Sequence, residues 1–435
     1  MILQNKLEKY FFGYGLAIFP FLLIIGPLIS EIFLILTIIF ASYSIYKEKN
    51  FKYIKSKFFI FLSLTYFIVL ISTLLNFYSF DISKSGIFYF RIPLFAISAW
   101  YILDRFQIFN KKTLGLYIII FCLIISDALF QYVTGKNIIG NEILRGRISS
   151  FFGEELILGG FIVRLMPVFL VYLVMNDCIN HKKINFHYII LISLSCLIVY
   201  LSGERTSFFL LILFFFSIFF INKYLRKFVI LTISLLILFA LLIPYIKVTE
   251  HPNPANRMFT KTLNQIVGKG EEQYEEHKKK IFNKIYIFSH DHHGHYLLSY
   301  QIFKEHPLIG TGVKGFRYLC RNKIYILEKN DGCSTHPHNT YIQILVSTGL
   351  IGLSLLIFAF SFFVREIFIC KKKIYQSNNF NKYQTSKGIL ISAIFINLWP
   401  FIPSGNFFNN WLSMIYFYPI GYYLYFYFLN EKETS

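Results

Sequence analysis

Long apolar runs separated by short polar turns dominate the chain, and their length decides what they are. A helix needs about 20 predominantly apolar residues to cross the roughly 30 Å hydrocarbon layer of a bilayer, and there every backbone group has to be satisfied within the helix. Runs that meet or approach this length fall at 11–28, 30–46, 58–77, 87–103, 114–134, 155–175, 187–203, 206–221, 228–247, 338–363, 388–403 and 408–429. The pattern predicts an all-α, polytopic membrane protein with about twelve transmembrane helices. The first run passes straight into the second without a small-residue cleavage site, so a retained helical hairpin is expected. The one long polar interval divides the chain into about nine N-terminal spans (1–247), a large loop (248–337) and about three C-terminal spans (338–435). Within that loop, 255–266, 271–288 and 297–304 mix polar and apolar residues at helical spacing, which predicts short helices folded over the membrane face.

Composition agrees: 55% of residues are hydrophobic, 20% aromatic and only 15% charged, against about 25% charged in soluble domains. The formal net charge of +20 raises nucleic acid as a partner, and the placement of the basic residues argues against it. They gather in alternate short loops: Lys47, Lys49, Lys52, Lys55 and Lys57; Arg105, Lys111 and Lys112; Lys182 and Lys183; Lys223, Arg226 and Lys227; and Arg365 to Lys387. That alternation is the positive-inside signature. It predicts cytoplasmic N- and C-termini, a periplasmic 248–337 loop and no nucleic-acid partner.

Six cysteines show no CxxC or Cys/His spacing for a zinc or redox site. Cys320 and Cys333 both fall in the outer loop, where an oxidising compartment permits a bridge if loop geometry allows one. In the same loop the run His290-Asp291-His292-His293-Gly294-His295 offers enough nitrogen donors to raise a metal site. A dense local run more often marks a solvated loop, since catalytic metals draw ligands from separate elements, so no metal is expected. One of these histidines can still line a substrate pocket.

The segment His306-Pro307-Leu308-Ile309-Gly310-Thr311-Gly312-Val313-Lys314 is a Pro-started, Gly-punctuated turn. Read locally it is a tight turn into a helix; read as a site, its amides would hold phosphate oxygens with Lys314 as the useful charge. Arg205, in the turn Ser202-Gly203-Glu204-Arg205, stands on the outer side against the charge trend. Its planar fork suits a diphosphate, while interface snorkelling or pairing with Glu204 is the plainer account. Arg91, Arg145, Arg147 and Arg257 are further outer-side cations, and Arg164 lies inside a span, where it has to pair or line a cavity.

His338, Asn339, nine intervening residues, then Gly349 and Gly352 form a pattern that resembles the hallmark of the O-antigen ligase and polymerase superfamily. The proline-glycine turn before it and Arg205 match in chain order, and the resemblance covers most of the chain. The residues after Arg205 depart from the ligases' usual leucine spacing, which leaves ligase and polymerase both open. The resemblance implies a GT-C-like membrane glycosyltransferase of the bacterial inner membrane, moving a glycan from a polyprenyl-diphosphate carrier to an acceptor hydroxyl. It implies His338 as base, Arg205 and the other arginines at the diphosphate, and His336, Asn339 and Lys314 as further substrate contacts, without metal or cofactor. A lipid A core acceptor is expected, since the late loop with His338-Asn339 matches the ligase branch best. The polymerase acceptor, a growing carrier-linked glycan, and a protein hydroxyl are the other readings. A transporter of sugars or lipid-linked glycans is the competing class; the lack of a repeat between halves and the outer clustering of polar residues argue against it.

Overall fold

The computed structural model describes residues 6–180, 184–245, 254–260, 263–264, 290–322 and 332–432, with the side chains of residues 244, 290, 291, 293 and 430–432 outside that description. The helix expected over 271–288 and the basic pair Lys182 and Lys183 lie outside the described residues. Among the described residues, twelve helices account for the twelve expected runs, and three further ones, two of them of eight residues or fewer, stand outside those runs: α1 (Lys6–Ile25), α2 (Pro27–Lys47), α3 (Lys57–Leu75), α4 (Phe80–Ile87), α5 (Arg91–Phe106), α6 (Lys111–Thr134), α7 (Leu158–Met175), α8 (Phe186–Leu201), α9 (Arg205–Ile221), α10 (Arg226–Leu242), α11 (His290–Glu305), α12 (Gly315–Leu319), α13 (Thr340–Gln376), α14 (Lys382–Asn397) and α15 (Asn410–Lys432). No named strand occurs among the described residues.

This is a polytopic helical membrane protein. Eight described helical stretches are long and apolar enough to cross a bilayer, fewer than the dozen expected. The apolar α8 and α9 have only 16 and 17 residues, about 25 Å of helix, and so fall short of that length. Apart from Arg164, helix α7 is apolar on every face, and it is buried from Leu158 to Val174, as a central helix should be. Helices α8, α9, α14 and α15 pack around it, and α5 packs on α15.

Sequence signals set the helix boundaries. Gly26 (φ 150°) and Pro27 separate α1 from α2, Asn110 and Thr113 form a capping box at α6, and the Ser56 side chain accepts from Phe59 N at the start of α3. Polar groups within the bundle find one another. Tyr117, Tyr172, Tyr418 and Tyr422 link their hydroxyls at 2.5–3.2 Å, and Lys387 pairs with Glu366 at 2.8 Å between α13 and α14, as buried polar groups in lipid require.

The proline-glycine turn takes its structural reading. Residues 307–312 lie across a kink in α13 at Gly349 (φ 66°, ψ −164°). Leu350 N donates to Pro307 O (2.9 Å), Thr311 N to Val346 O (2.9 Å) and Gly312 N to Ser347 O (2.9 Å), so the turn supplies partners that the broken helix lacks. Ser72 on α3 closes the joint, donating to Ser347 O at 2.6 Å and accepting from Gly312 N at 3.0 Å. The loop is thereby locked onto the start of α13, where His338 sits.

Candidate functional site

Two clusters occupy one end of the bundle. The first forms around the Ser202–Arg205 turn between α8 and α9. The loop after α6 is pinned by buried side chains of that helix: Asp127 accepts from Asn137 Nδ2 and Ile138 N, and Gln131 Oε1 from Ser149 N and Ser150 N at 2.9 and 2.7 Å. The anchored loop then makes a two-residue turn with Arg145 (φ 52°) and Gly146 (φ 67°) at its tip and Leu144 paired to Arg147 across it, the geometry of a type I′ turn. Arg147 donates from Nε to Ser202 O (3.2 Å) and from Nη2 to Leu156 O (3.0 Å). Arg257 donates from Nε to Gly203 O at 3.1 Å.

Burial and the neighbouring guanidiniums of Arg257, Arg145 and Arg205 hold Arg147 below the ordinary arginine value, against the pull of Glu204. Burial, Arg205 and Arg145 do the same to Arg257. Both remain cationic, so four arginines share one region of strongly positive potential. Gly203 (φ 66°) makes this possible, because a Cβ there would meet Arg257 Cδ at 2.9 Å and Arg147 Cγ at 3.3 Å.

Glu204, which the sequence offered only as a bland partner for Arg205, anchors the cluster. Its carboxylate accepts from Gly159 N (2.7 Å), Gly160 N (3.0 Å) and Ser207 Oγ (2.7 Å), capping the positive N-terminus of α7. It lies 3.9 Å from Arg147. Burial pushes this carboxyl up, while Ser207, Arg147 and the two amides pull it back.

The second cluster is made of imidazoles. Helix α11 starts at His290, earlier than the run expected at 297–304, and packs on α13. That packing brings His292 and His295 to His338, with ring centroids 5.6 and 5.1 Å away, and His336 stands 4.0 Å from His338. The side chains of His290 and His293 lie outside the described set. No group of three His, Cys, Asp or Glu among the described residues is arranged to hold a metal ion.

His338 has φ 58°, an uncommon left-handed conformation for a non-glycine residue. Its carbonyl accepts from Ser404 N at 2.8 Å, which holds the backbone there, and its ring has no hydrogen-bond partner among the described residues. Burial, then the charge of His336, His295 and His292, pulls its pKa down to about 3. His336 is pulled down to about 4 by burial, and by His295, Arg317 and His292, against a hydrogen bond to Ser404 O. Arg317 on α12 thus faces this cluster, a cation that the sequence did not single out.

Both clusters border the connector between α14 and α15. Phe209, one turn into α9, has its ring 6.5 Å from that of Trp399. On the other side Asn339 Nδ2 donates to Pro400 O (2.8 Å) and Ile402 O (3.2 Å), and Thr340 Oγ1 meets Ser404 Oγ at 2.8 Å.

Several residues assigned to substrate from the sequence are engaged elsewhere. Asn339 Oδ1 accepts from Tyr341 N and Ile342 N as the cap of α13, so with its two Nδ2 bonds the amide has no capacity left. Arg91 pairs with Glu31 and donates to Phe88 O and to Asn410 Oδ1 (2.8 Å), a joint between helix ends outside the arginine cluster. Lys314 donates to Asp81 O at 3.3 Å, which turns it toward α4. Arg164 is buried in α7, donating to Gly160 O at 3.1 Å with its guanidinium over the Tyr416 ring. Cys320 and Cys333 form a disulfide.

Residues 190–357 match the family model described as O-antigen ligase. The matched stretch contains Arg205, Arg257, the imidazole cluster and Gly349; Arg145 and Arg147 precede it. A search of curated proteins finds no match to the chain.

Proposed function

Residues 190–357 carry a domain of the O-antigen ligase superfamily, and from that premise we propose that this membrane protein transfers a glycan from a polyprenyl-diphosphate carrier to an acceptor hydroxyl at the periplasmic face of a bacterial inner membrane. The observation that carries the reading is the convergence of Arg145, Arg147, Arg205 and Arg257 on one turn, at the same end of the bundle as the His338 cluster. Four neighbouring guanidiniums, two of them held by backbone carbonyls, suit a diphosphate, whose oxygens accept paired N–H bonds.

In this reading His338 takes the proton of the acceptor hydroxyl, and the freed oxygen pair forms a bond to the anomeric carbon. The bond from that carbon to the diphosphate oxygen breaks, and its electron pair leaves with the diphosphate. The arginines stabilise the charge that grows there, without reorganising at the moment of reaction. The acceptor we propose is a lipid A core sugar, which makes the chain a ligase. His336 and Asn339 serve by fixing the His338 backbone and the connector, and membrane lipids surround the helices.

Arg205→Lys tests the diphosphate assignment. Lysine keeps the charge and loses the fork, so kcat/KM for transfer is expected to fall roughly 10- to 100-fold, with membrane insertion unchanged. Transfer at the parent rate would make Arg205 an interface anchor.

A further inference from the structure

The histidines of the HDHHGH run have no part in the mechanism above, yet His295 is among the most firmly held side chains of the site. Its Nδ1 lies 2.6 Å from the Gly332 carbonyl oxygen. Gly332 has φ 48°, and a Cβ there would come within 2.6 Å of Gly294 O, so the backbone at 332 rests directly on α11. The next residue, Cys333, is bridged to Cys320, which is buried with Leu298, Ile302, Phe316 and Val346 in a small core of its own. The glycine contact and the covalent tie thus fix the segment whose carbonyl holds the His295 ring.

The partners fix the tautomers. A carbonyl only accepts, so Nδ1 of His295 carries its proton and Nε2 keeps a lone pair. His336 is set the other way: Nε2 lies 3.4 Å from Ser404 O, and Nδ1 lies 2.9 Å from the Thr335 hydroxyl, which donates to it. The acceptor nitrogen of His336 is therefore committed. That of His295 has no partner among the described residues, and its ring centroid is 5.1 Å from that of His338, with the planes 27° apart.

We infer that His295 is a positioning residue for His338, accepting at Nε2 the hydrogen bond from whichever His338 nitrogen does not face the acceptor. This rests on the glycan-transfer reading. The contact orients His338 so that a lone pair faces the acceptor hydroxyl. When His338 gains that proton, the second N–H of the imidazolium is already held, and the charge is shared with a ring that is itself tied to a carbonyl. The arrangement follows the logic by which a third group orients a catalytic imidazole. The two rings stack without a hydrogen bond between them; catalytic hydrogen bonds commonly tighten only in the substrate complex.

The test uses the purified full chain in liposomes with carrier-linked glycan and acceptor. His295→Asn keeps a donor where Nδ1 meets Gly332 and lacks the Nε2 lone pair. Its kcat is expected to fall roughly tenfold or more, with both KM values within about twofold of the parent. His295→Ala is expected to lose as much and to recover part of its rate with added imidazole, a rescue that a structural defect does not show. A kcat within twofold of the parent for His295→Asn, a loss confined to KM, or no rescue of His295→Ala overturns the inference. If instead His338→Ala transfers at the parent rate, the base assignment fails, and that outcome is separable from this one.

Discussion

His338→Ala is expected to lower glycan transfer by roughly 10²–10⁴-fold, the range for removing a positioned base, while the protein still inserts and folds. His338 occupies a strained left-handed position, and its ring packs against His336, His295 and His292 without a hydrogen bond to any described residue. A ring placed for structure alone would hold a partner, as His336 does. His336→Ala is the matched control; it removes the contacts to Thr335 and Ser404 and is expected to cost less.

The same cluster sets a pH signature. An ordinary histidine protonates near pH 6.5, whereas His336 and His338 are pulled down to about 4 and about 3. In the free protein both stay neutral as pH falls through 6.5, so kcat/KM should keep its value to about pH 5 instead of declining from 6.5. A bound diphosphate stabilises the imidazolium, so the acid limb of kcat should lie at higher pH than that of kcat/KM. Stability has the opposite sense: between pH 6.5 and about 4 the unfolded chain binds protons that the folded site refuses, so folding weakens as pH falls through that window.

The second large effect is structural. Gly349→Ala is expected to cost more than about 3 kcal/mol and to leave little folded protein. At φ 66° and ψ −164° the position is closed to side chains, and a Cβ would stand 2.2 Å from the Leu308 carbonyl carbon and oxygen. Those are backbone atoms of the crossing turn, which is itself bonded to Val346, Ser347 and Leu350 and has no room to yield. Gly352→Ala is the informative contrast. Its Cβ would meet Thr348 Oγ1 at 1.9 Å and Thr348 Cβ at 2.5 Å, side-chain atoms of one residue, so Thr348 has to shift and give up its bond to Ile344 O. Gly352 has no positive φ and meets no crossing backbone, so its cost is expected to be the smaller. Thermal melting of detergent-purified protein separates the two. Equal melting temperatures for both variants would remove the crossing as the reason for the first glycine.

Much of this was legible in the chain because helix periodicity and charge alternation are local. Each of the twelve expected apolar runs overlaps a helix among the described residues, and the Arg205 turn and the His338 pattern stand at one end of the bundle. What periodicity hides is the distant partner. Arg91 looked like a substrate cation, but Glu31 lies 60 residues away in sequence and pairs with it. Asn339 looked like part of the chemistry, and the backbone of its own helix takes its oxygen. The HDHHGH run read as a solvated loop because nothing local reveals that α11 docks on α13. Glu204 was underrated for the same reason, since Gly159 and Gly160, which make it a cap, precede it by 45 and 44 residues.

The most direct measurement is reconstitution of the purified parent chain in liposomes with a polyprenyl-diphosphate-linked glycan, offered a lipid A core acceptor in one arm and a second carrier-linked glycan in the other. The account predicts covalent transfer to the lipid A core, with the carrier diphosphate released in equal amount, and loss of both products in His338→Ala. Transfer only to the carrier-linked acceptor would make the chain a polymerase. Movement of intact carrier-linked glycan across the bilayer, with no new glycosidic bond to either acceptor, would contradict the account.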